Sequence, residues 1–109
     1  MSRLEKALEI MNARQRWMVF YCILSGHSKF NQIKRDCREL SSTTLARTLK
    51  FLENNDIIAK KHDKLIKGQP EEYYLTKLGV EFAKVVGEME AWGGKVIAYK
   101  ATNKKRTEP

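Results

Sequence analysis

Residues 30–54 read FNQIKRDCRELSSTTLARTLKFLEN, and the spacing of apolar residues in this stretch decides the fold. Phe30, Ile33 and Cys37 recur at helical spacing, Leu40 follows as an apolar turn residue, and Ser41 opens a second run that carries Leu45, Leu49 and Leu52 on one face. Two short helical patterns joined by a tight polar break make a helix-turn-helix pattern. The other face of the second helix, residues 41–54, presents Ser42, Thr43, Thr44, Arg47, Thr48 and Lys50. These short hydroxyls and long cations suit phosphate oxygens and base edges in a DNA major groove.

Upstream, Leu4, Ala7, Leu8 and Met11 follow the spacing of an amphipathic helix that stops near Asn12. Residues 17–24 (Trp17 to Leu24) are almost all apolar, so a second helix is expected to be covered on most sides and to form the centre of the core. Gly26 ends it, and His27 to Lys29 make a short link. Downstream of the Asn54-Asn55-Asp56 break, Ile57 to Lys61 reads as a strand, Asp63 to Pro70 as a polar turn, and Glu71 to Leu75 as a returning strand. Lys60, Lys61, Lys64 and Lys67 crowd this hairpin. A cationic loop over residues 60–70 can follow a phosphate backbone or enter a minor groove; the alternative is a solvated hairpin whose lysines blunt its edges.

Thr76 is a good N-cap for a final helix with Leu78, Phe82, Val85, Val86, Met89, Trp92 and Val96 along one side. That stripe exceeds what a small core absorbs. Leu4, Leu8 and Met11 of the first helix, with Val85, Met89, Trp92 and Val96 of the last, are therefore the candidate dimer interface. The expected class is mainly α with a small β-hairpin (α+β). A single domain spans residues 1–99, followed by a basic tail over 100–109 that reads as disordered.

A formal charge of +8 and an isoelectric point near 9.6 favour an anionic partner, nucleic acid being the commonest for a compact basic domain; simple solubility is the alternative. No stretch approaches the roughly 18 apolar residues of a membrane span, and Met1 to Glu9 lacks the apolar core of a signal peptide, so a cytoplasmic location is expected. Cys22 and Cys37 form no Cys-x-x-Cys pair and the two histidines lack metal-ligand spacing, which makes both cysteines structural thiols by default and gives no metal site and no cofactor. Neither a Gly-rich phosphate loop nor a nucleophile with a base and an orienting group is present, so catalysis is not expected. Glu71 and Glu72 adjoin on a strand and point to opposite faces, as do Tyr73 and Tyr74.

The order of these elements resembles the winged helix-turn-helix transcription regulators, and within them the HxlR-type (DUF24) family most closely. The residues that carry the resemblance are Ala7-Leu8-Glu9-Ile10, Ser25-Gly26, Phe30-Asn31-Gln32-Ile33-Lys34-Arg35, Leu40-Ser41 with Leu45, Leu49 and Leu52, Glu72-Tyr73-Tyr74-Leu75-Thr76-Lys77-Leu78-Gly79, and Trp92-Gly93. It covers residues 4–97. Related archaeal winged-helix families and the MarR type stay open as alternatives. The resemblance implies a homodimer joined through terminal helices, with the second helix of the motif in the major groove and the wing beside it. By the same resemblance Ser41, Ser42, Thr43, Thr44, Arg47 and Lys50 form the groove-facing set. Two departures stand out. The cysteine that many members carry before the first helix for thiol sensing is missing, and the family's Gly-Lys-Trp is replaced by Ala13-Arg14-Gln15-Arg16-Trp17.

The leading expectation is thus a dimeric, sequence-specific regulator of transcription that binds double-stranded DNA. Lys34, Arg35, Lys60, Lys61 and Lys64 would supply phosphate contacts and Arg47 the base readout, through a guanidinium fork on guanine O6 and N7. A non-specific DNA-coating protein and a winged-helix protein-interaction module are the alternatives. Trp17, Phe82 and Trp92 could line a pocket for a small-molecule effector between terminal helices, but core packing explains the same aromatics.

Overall fold

A computed structural model of the protein describes residues 2–61 and 71–103. The elements run α1 (Arg3–Ile10), α2 (Arg14–Leu24), α3 (Phe30–Asp36), α4 (Ser42–Asn54), β1 (Ile58–Lys61), β2 (Glu72–Leu75) and α5 (Lys77–Asn103). The chain forms two compact units, Met1–Gly79 and Val80–Pro109.

In the first unit, α4 packs on α2 and on β1, and α2 also meets α3 and β2. Val19, Phe20 and Ile23 from α2, Ile33 from α3, Cys37, and Leu45, Leu49 and Leu52 from α4 are buried, joined by Ile57, Ile58 and Tyr73. The apolar spacings of the sequence thus mark the buried faces of α3 and α4. For α2 they overstate the burial: Tyr21 and Leu24 are exposed, so the helix has an outer side despite its composition. Helical geometry accounts for this, since a core that lies to one side of α2 collects residues three and four apart and leaves their neighbours outside. Met11, grouped from its spacing with the outward-facing Leu4 and Leu8, is instead buried in its own chain. It has left the helical face because it is the C-cap of α1, at φ −112° and ψ 36°.

Both long turns close by the same device. After α2, the amide of Gly26 donates to Ile23 O (3.1 Å) and that of His27 to Cys22 O (3.0 Å), with Gly26 at φ 96°. This pair of bonds satisfies the last carbonyls of a helix and demands a left-handed residue, which glycine adopts without a Cβ clash. After α4, Asp56 N donates to Glu53 O (3.0 Å) and Ile57 N to Leu52 O (3.0 Å), but the left-handed position is held by Asp56, at φ 62°. Its carbonyl is tied down by a hydrogen bond from Thr76 Oγ1.

Strands β1 and β2 are antiparallel, with Ile58 opposite Leu75 and Lys61 opposite Glu72. Tyr73 points inward and Tyr74 outward, as alternation requires. The other edge of β2 is taken by the link before α3: Tyr73 N donates to Ser28 O (2.8 Å), Phe30 N to Glu71 O (3.2 Å), and Ser28 Oγ to Glu72 Oε1 (3.3 Å). The hairpin is therefore stitched to the start of the helix-turn-helix. Thr76 caps α5, accepting from Gly79 N at 3.0 Å while its hydroxyl also reaches Ile57 O at 3.1 Å.

In the second unit α5 continues to Asn103, past the boundary at residue 99 expected from sequence. Val85, Met89, Trp92, Ile97 and Tyr99 are exposed on it, and Val96 is half-buried.

At Gly79 the first turn of α5 comes so close to the residue preceding β1 that a Cβ would sit 2.2 Å from the carbonyl oxygen of Ile57. Backbone on both sides cannot yield as a flexible side chain can. Gly79→Ala is expected to lower stability by at least about 1–3 kcal/mol, the usual cost of overpacking, and chemical denaturation of the two proteins measures it.

Candidate nucleic-acid interface

The outer face of α4 is set by the face that is buried. With Leu45, Leu49 and Leu52 in the core, the helical repeat turns Ser42, Thr43, Ala46, Arg47 and Lys50 outward, and all five are exposed. Arg47 and Lys50 enter no ion pair among the described residues, so two cations stand on this face without an internal counter-charge. Thr44 is half-buried. Ser41 is the N-cap: its Oγ accepts from Thr44 N at 3.1 Å and donates to Thr44 Oγ1 at 3.0 Å. Its oxygen is thus already serving the helix start, and what it offers a groove is mainly its position.

Thr48 departs from the sequence reading. Counted there with the outward set, it is only 5% exposed, and its Oγ1 donates to Thr44 O at 2.7 Å. Position 48 falls three residues after Leu45 and one before Leu49, inside the buried arc; the hydroxyl is tolerated because the helix's own carbonyl accepts its proton. Polarity was a poor guide to orientation here, and spacing was the better one.

The cations expected to meet phosphates divide into two groups. Arg35 and Lys61 are exposed and enter no ion pair among the described residues. Lys34 is occupied: its Nζ donates to Leu40 O at 2.6 Å, clamping the turn between α3 and α4. Lys60 is half-buried and pairs with Glu71 Oε1 at 3.1 Å, while the Tyr73 hydroxyl donates to the other Glu71 oxygen at 3.0 Å. Burial first, then this bond to Glu71 and the nearby acidic charge, pushes the Tyr73 phenol well above its usual range. A small cleft of about 120 Å3 between α4 and the hairpin is lined by Phe30, Ala46, Lys50, Glu53, Lys60, Glu71 and Tyr73, so its wall nearest the hairpin is neutralised rather than cationic. Lys64 and Lys67 lie outside the described residues.

One contact beside α4 is not legible from the sequence. Arg16 was seen only as part of a departure from a family motif, yet its guanidinium lies 3.6 Å from the centroid of the Phe51 ring on α4 and bonds to the end of α1. No local spacing announces such a contact, because residues 16 and 51 meet only through the fold.

A family model described as HxlR-like helix-turn-helix matches residues 10–101. The chain belongs to that family. Among its relatives, the uncharacterized HTH-type transcriptional regulator YvaP of Bacillus subtilis is 33% identical over 92 residues, which cover 83% of this chain and 82% of YvaP. The reduced form of the B. subtilis transcriptional regulator YodB superposes with a TM-score of 0.73 at 27% identity, over 84% of this chain and 90% of that one. The redox regulator HypR in its reduced form gives 0.76 at 26% identity, over 86% and 92%. This HxlR-like chain is accordingly a transcription regulator with a winged helix-turn-helix DNA-binding fold, and not an enzyme. Among the described residues, no helix is long and apolar enough to cross a membrane.

Cys22 and Cys37, read separately as structural thiols, are brought together by the packing of α2 against α3. Both are free, with sulfurs 3.4 Å apart in hydrogen-bonding contact. Burial pushes the Cys22 thiol up to about 12, helped by the bond to Cys37 and by its closeness to Cys37 and to the Asp36 carboxylate. As the thiolate is the nucleophile, modification of Cys22 by an aromatic disulfide reagent at pH 8 should be at least about a hundredfold slower in the folded protein than in denaturant. The Lys34 clamp gives a second expectation. Lys34→Met should cost about 1.5–3 kcal/mol of stability, as for a hydrogen bond from a charged group, whereas Arg35→Met should change stability by less than about 0.5 kcal/mol; parallel denaturant titrations compare them.

Proposed function

We propose that this HxlR-like protein is a homodimeric, sequence-specific regulator that lays α4 in the major groove of double-stranded DNA. The observation that carries the reading is the two-sided construction of α4: one face locked into the core by Leu45, Thr48, Leu49 and Leu52, the other presenting Thr43, Arg47 and Lys50. Because a guanidinium fork matches guanine O6 and N7, Arg47 is the residue assigned to base readout. Ser42, Thr43 and Lys50 contact flanking base edges or phosphates, and Arg35 and Lys61 contact phosphates. Lys64 and Lys67 are assigned by their charge to phosphates of the flanking backbone or minor groove. The two occupied lysines, Lys34 and Lys60, act mainly by holding the turn and the hairpin in place.

The dimer reading draws on surface composition. Helix α1 buries no residue, leaving Leu4 and Leu8 exposed, and α5 exposes Val85, Met89, Trp92 and Ile97. An isolated eight-residue helix is marginal in water, and each of these helices carries exposed apolar side chains that a partner could cover. A second copy of the chain supplies a self-complementary cover by two-fold symmetry, and two-fold symmetry is what paired half-sites on DNA require.

Fluorescence-anisotropy titration with the protein's own upstream DNA and with a random duplex, at two salt concentrations, tests the proposal. Tighter binding to the upstream DNA, weakening steeply as salt rises, is expected from phosphate contacts that release counterions. Arg47→Ala should reduce the preference for the upstream DNA by about 1–3 kcal/mol, the value of one bidentate base contact. Equal affinity for both duplexes would favour a DNA-coating protein, and no binding to either would favour a protein-interaction module.

A further inference from the structure

The junction between α1 and α2 is built around one side chain. Arg16, in the first turn of α2, donates through Nη1 to Ile10 O at 3.0 Å and to Glu9 O at 3.3 Å, the terminal carbonyls of α1. Its neighbour Trp17 donates through Nε1 to Met11 O at 2.7 Å. Helix α1 has no basic residue in its own last turn and buries no residue along its length. Its open carbonyls are therefore satisfied from α2, and its direction is held at that end by Arg16, Trp17 and the buried Met11. One face of the same guanidinium is stacked on Phe51, on the flank of the exposed face of α4 and one turn beyond Arg47. Only a planar, multi-donor cation can meet two carbonyls at its edge and an aromatic ring at its face together.

We infer that Arg16 is a positioning residue that fixes the angle between α1 and α4, and thereby the separation of the two recognition helices in the dimer and the half-site spacing the protein accepts on DNA. The inference rests on the proposed reading that α1 contacts a second copy and α4 enters the groove. A rigid link between the surface that meets the partner and the helix that reads bases converts dimer geometry into half-site spacing, whereas a loose link lets each α4 find its groove over a range of spacings. Arg16 touches neither the partner nor a base in this role.

The test starts from the duplex that the wild-type protein enriches from a random-sequence library. Its two half-sites are rebuilt with spacers covering about one helical turn, ~10 base pairs. Affinities for the spacer series and for a duplex with one half-site are measured for wild type, Arg16→Lys and Phe51→Leu, each checked for folding by thermal denaturation. Lysine keeps the charge without the planar fork, and leucine keeps apolar volume without the ring. The expected result is a wild-type preference of at least about tenfold for one spacer, flattened to less than about threefold in both variants, while affinity for the single half-site stays within about twofold. Either variant retaining the wild-type spacer preference would overturn the inference. So would a uniform loss across all duplexes, including the single half-site, which marks Arg16 as a phosphate contact or a purely structural residue. A wild-type protein that binds DNA with no spacer preference, or enriches a site without two-fold symmetry, removes the dimer reading itself, and that outcome is visible before any variant is compared.

Discussion

The seating of α4 on α2 governs both the core and the surface of this protein. Leu45, Leu49 and Leu52 share a core with Val19, Phe20 and Ile23, and the rotation of α4 about its own axis follows from that burial. Each residue advances about 100° around a helix, so a shift of one position would bury Arg47 or Lys50 and expose leucine. The cost of burying an uncompensated cation makes that alternative inaccessible, while Thr48 enters the core cheaply because its hydroxyl has a carbonyl to donate to. What the outer face of α4 presents is thus decided from the inside outward.

Around that contact the backbone is closed by short-range polar links rather than by more apolar area. The Ser28 to Phe30 segment pairs with β2, Thr76 ties the start of α5 to Asp56 and Ile57, and Lys34 holds the α3–α4 turn through Leu40. Each link joins elements distant in the chain or satisfies a carbonyl at a turn, and buried or half-buried carbonyls left without a donor would cost free energy. Gly79 completes the set by allowing α5 to start against the Ile57 carbonyl. Several residues that look like DNA-binding cations or plain linkers are consequently part of the frame that holds α4.

Legibility followed the range of the interaction. Helix starts and stops were readable from Ser41, Thr76 and Gly26 because caps act over three or four residues, and the two strands of the hairpin were readable from their composition, while the turn expected over 63–70 lies outside the described residues. The paired roles of Lys34 and Lys60 were not, since a lysine in a string looks the same whether it reaches solvent or Leu40 O and Glu71. Thr48 was misread because its side chain is polar, although its spacing placed it with the leucines. Tyr21 and Leu24 were misread in the opposite sense, because an apolar composition says that a helix can be buried and not how much neighbouring surface exists to bury it.

By itself the sequence determined the element order, the helix-turn-helix spacing, the basic character and the membership of a family of DNA-binding regulators, because periodicity, caps and charge are local or summed properties. Only the tertiary structure decided which cations are free and which are occupied, that Cys22 and Cys37 meet, and that Arg16 links α1 to Phe51. Those outcomes depend on groups from 6 residues apart (Lys34 and Leu40) to 35 apart (Arg16 and Phe51) arriving within bonding distance, and packing of the whole unit, rather than any local pattern, sets which of them do.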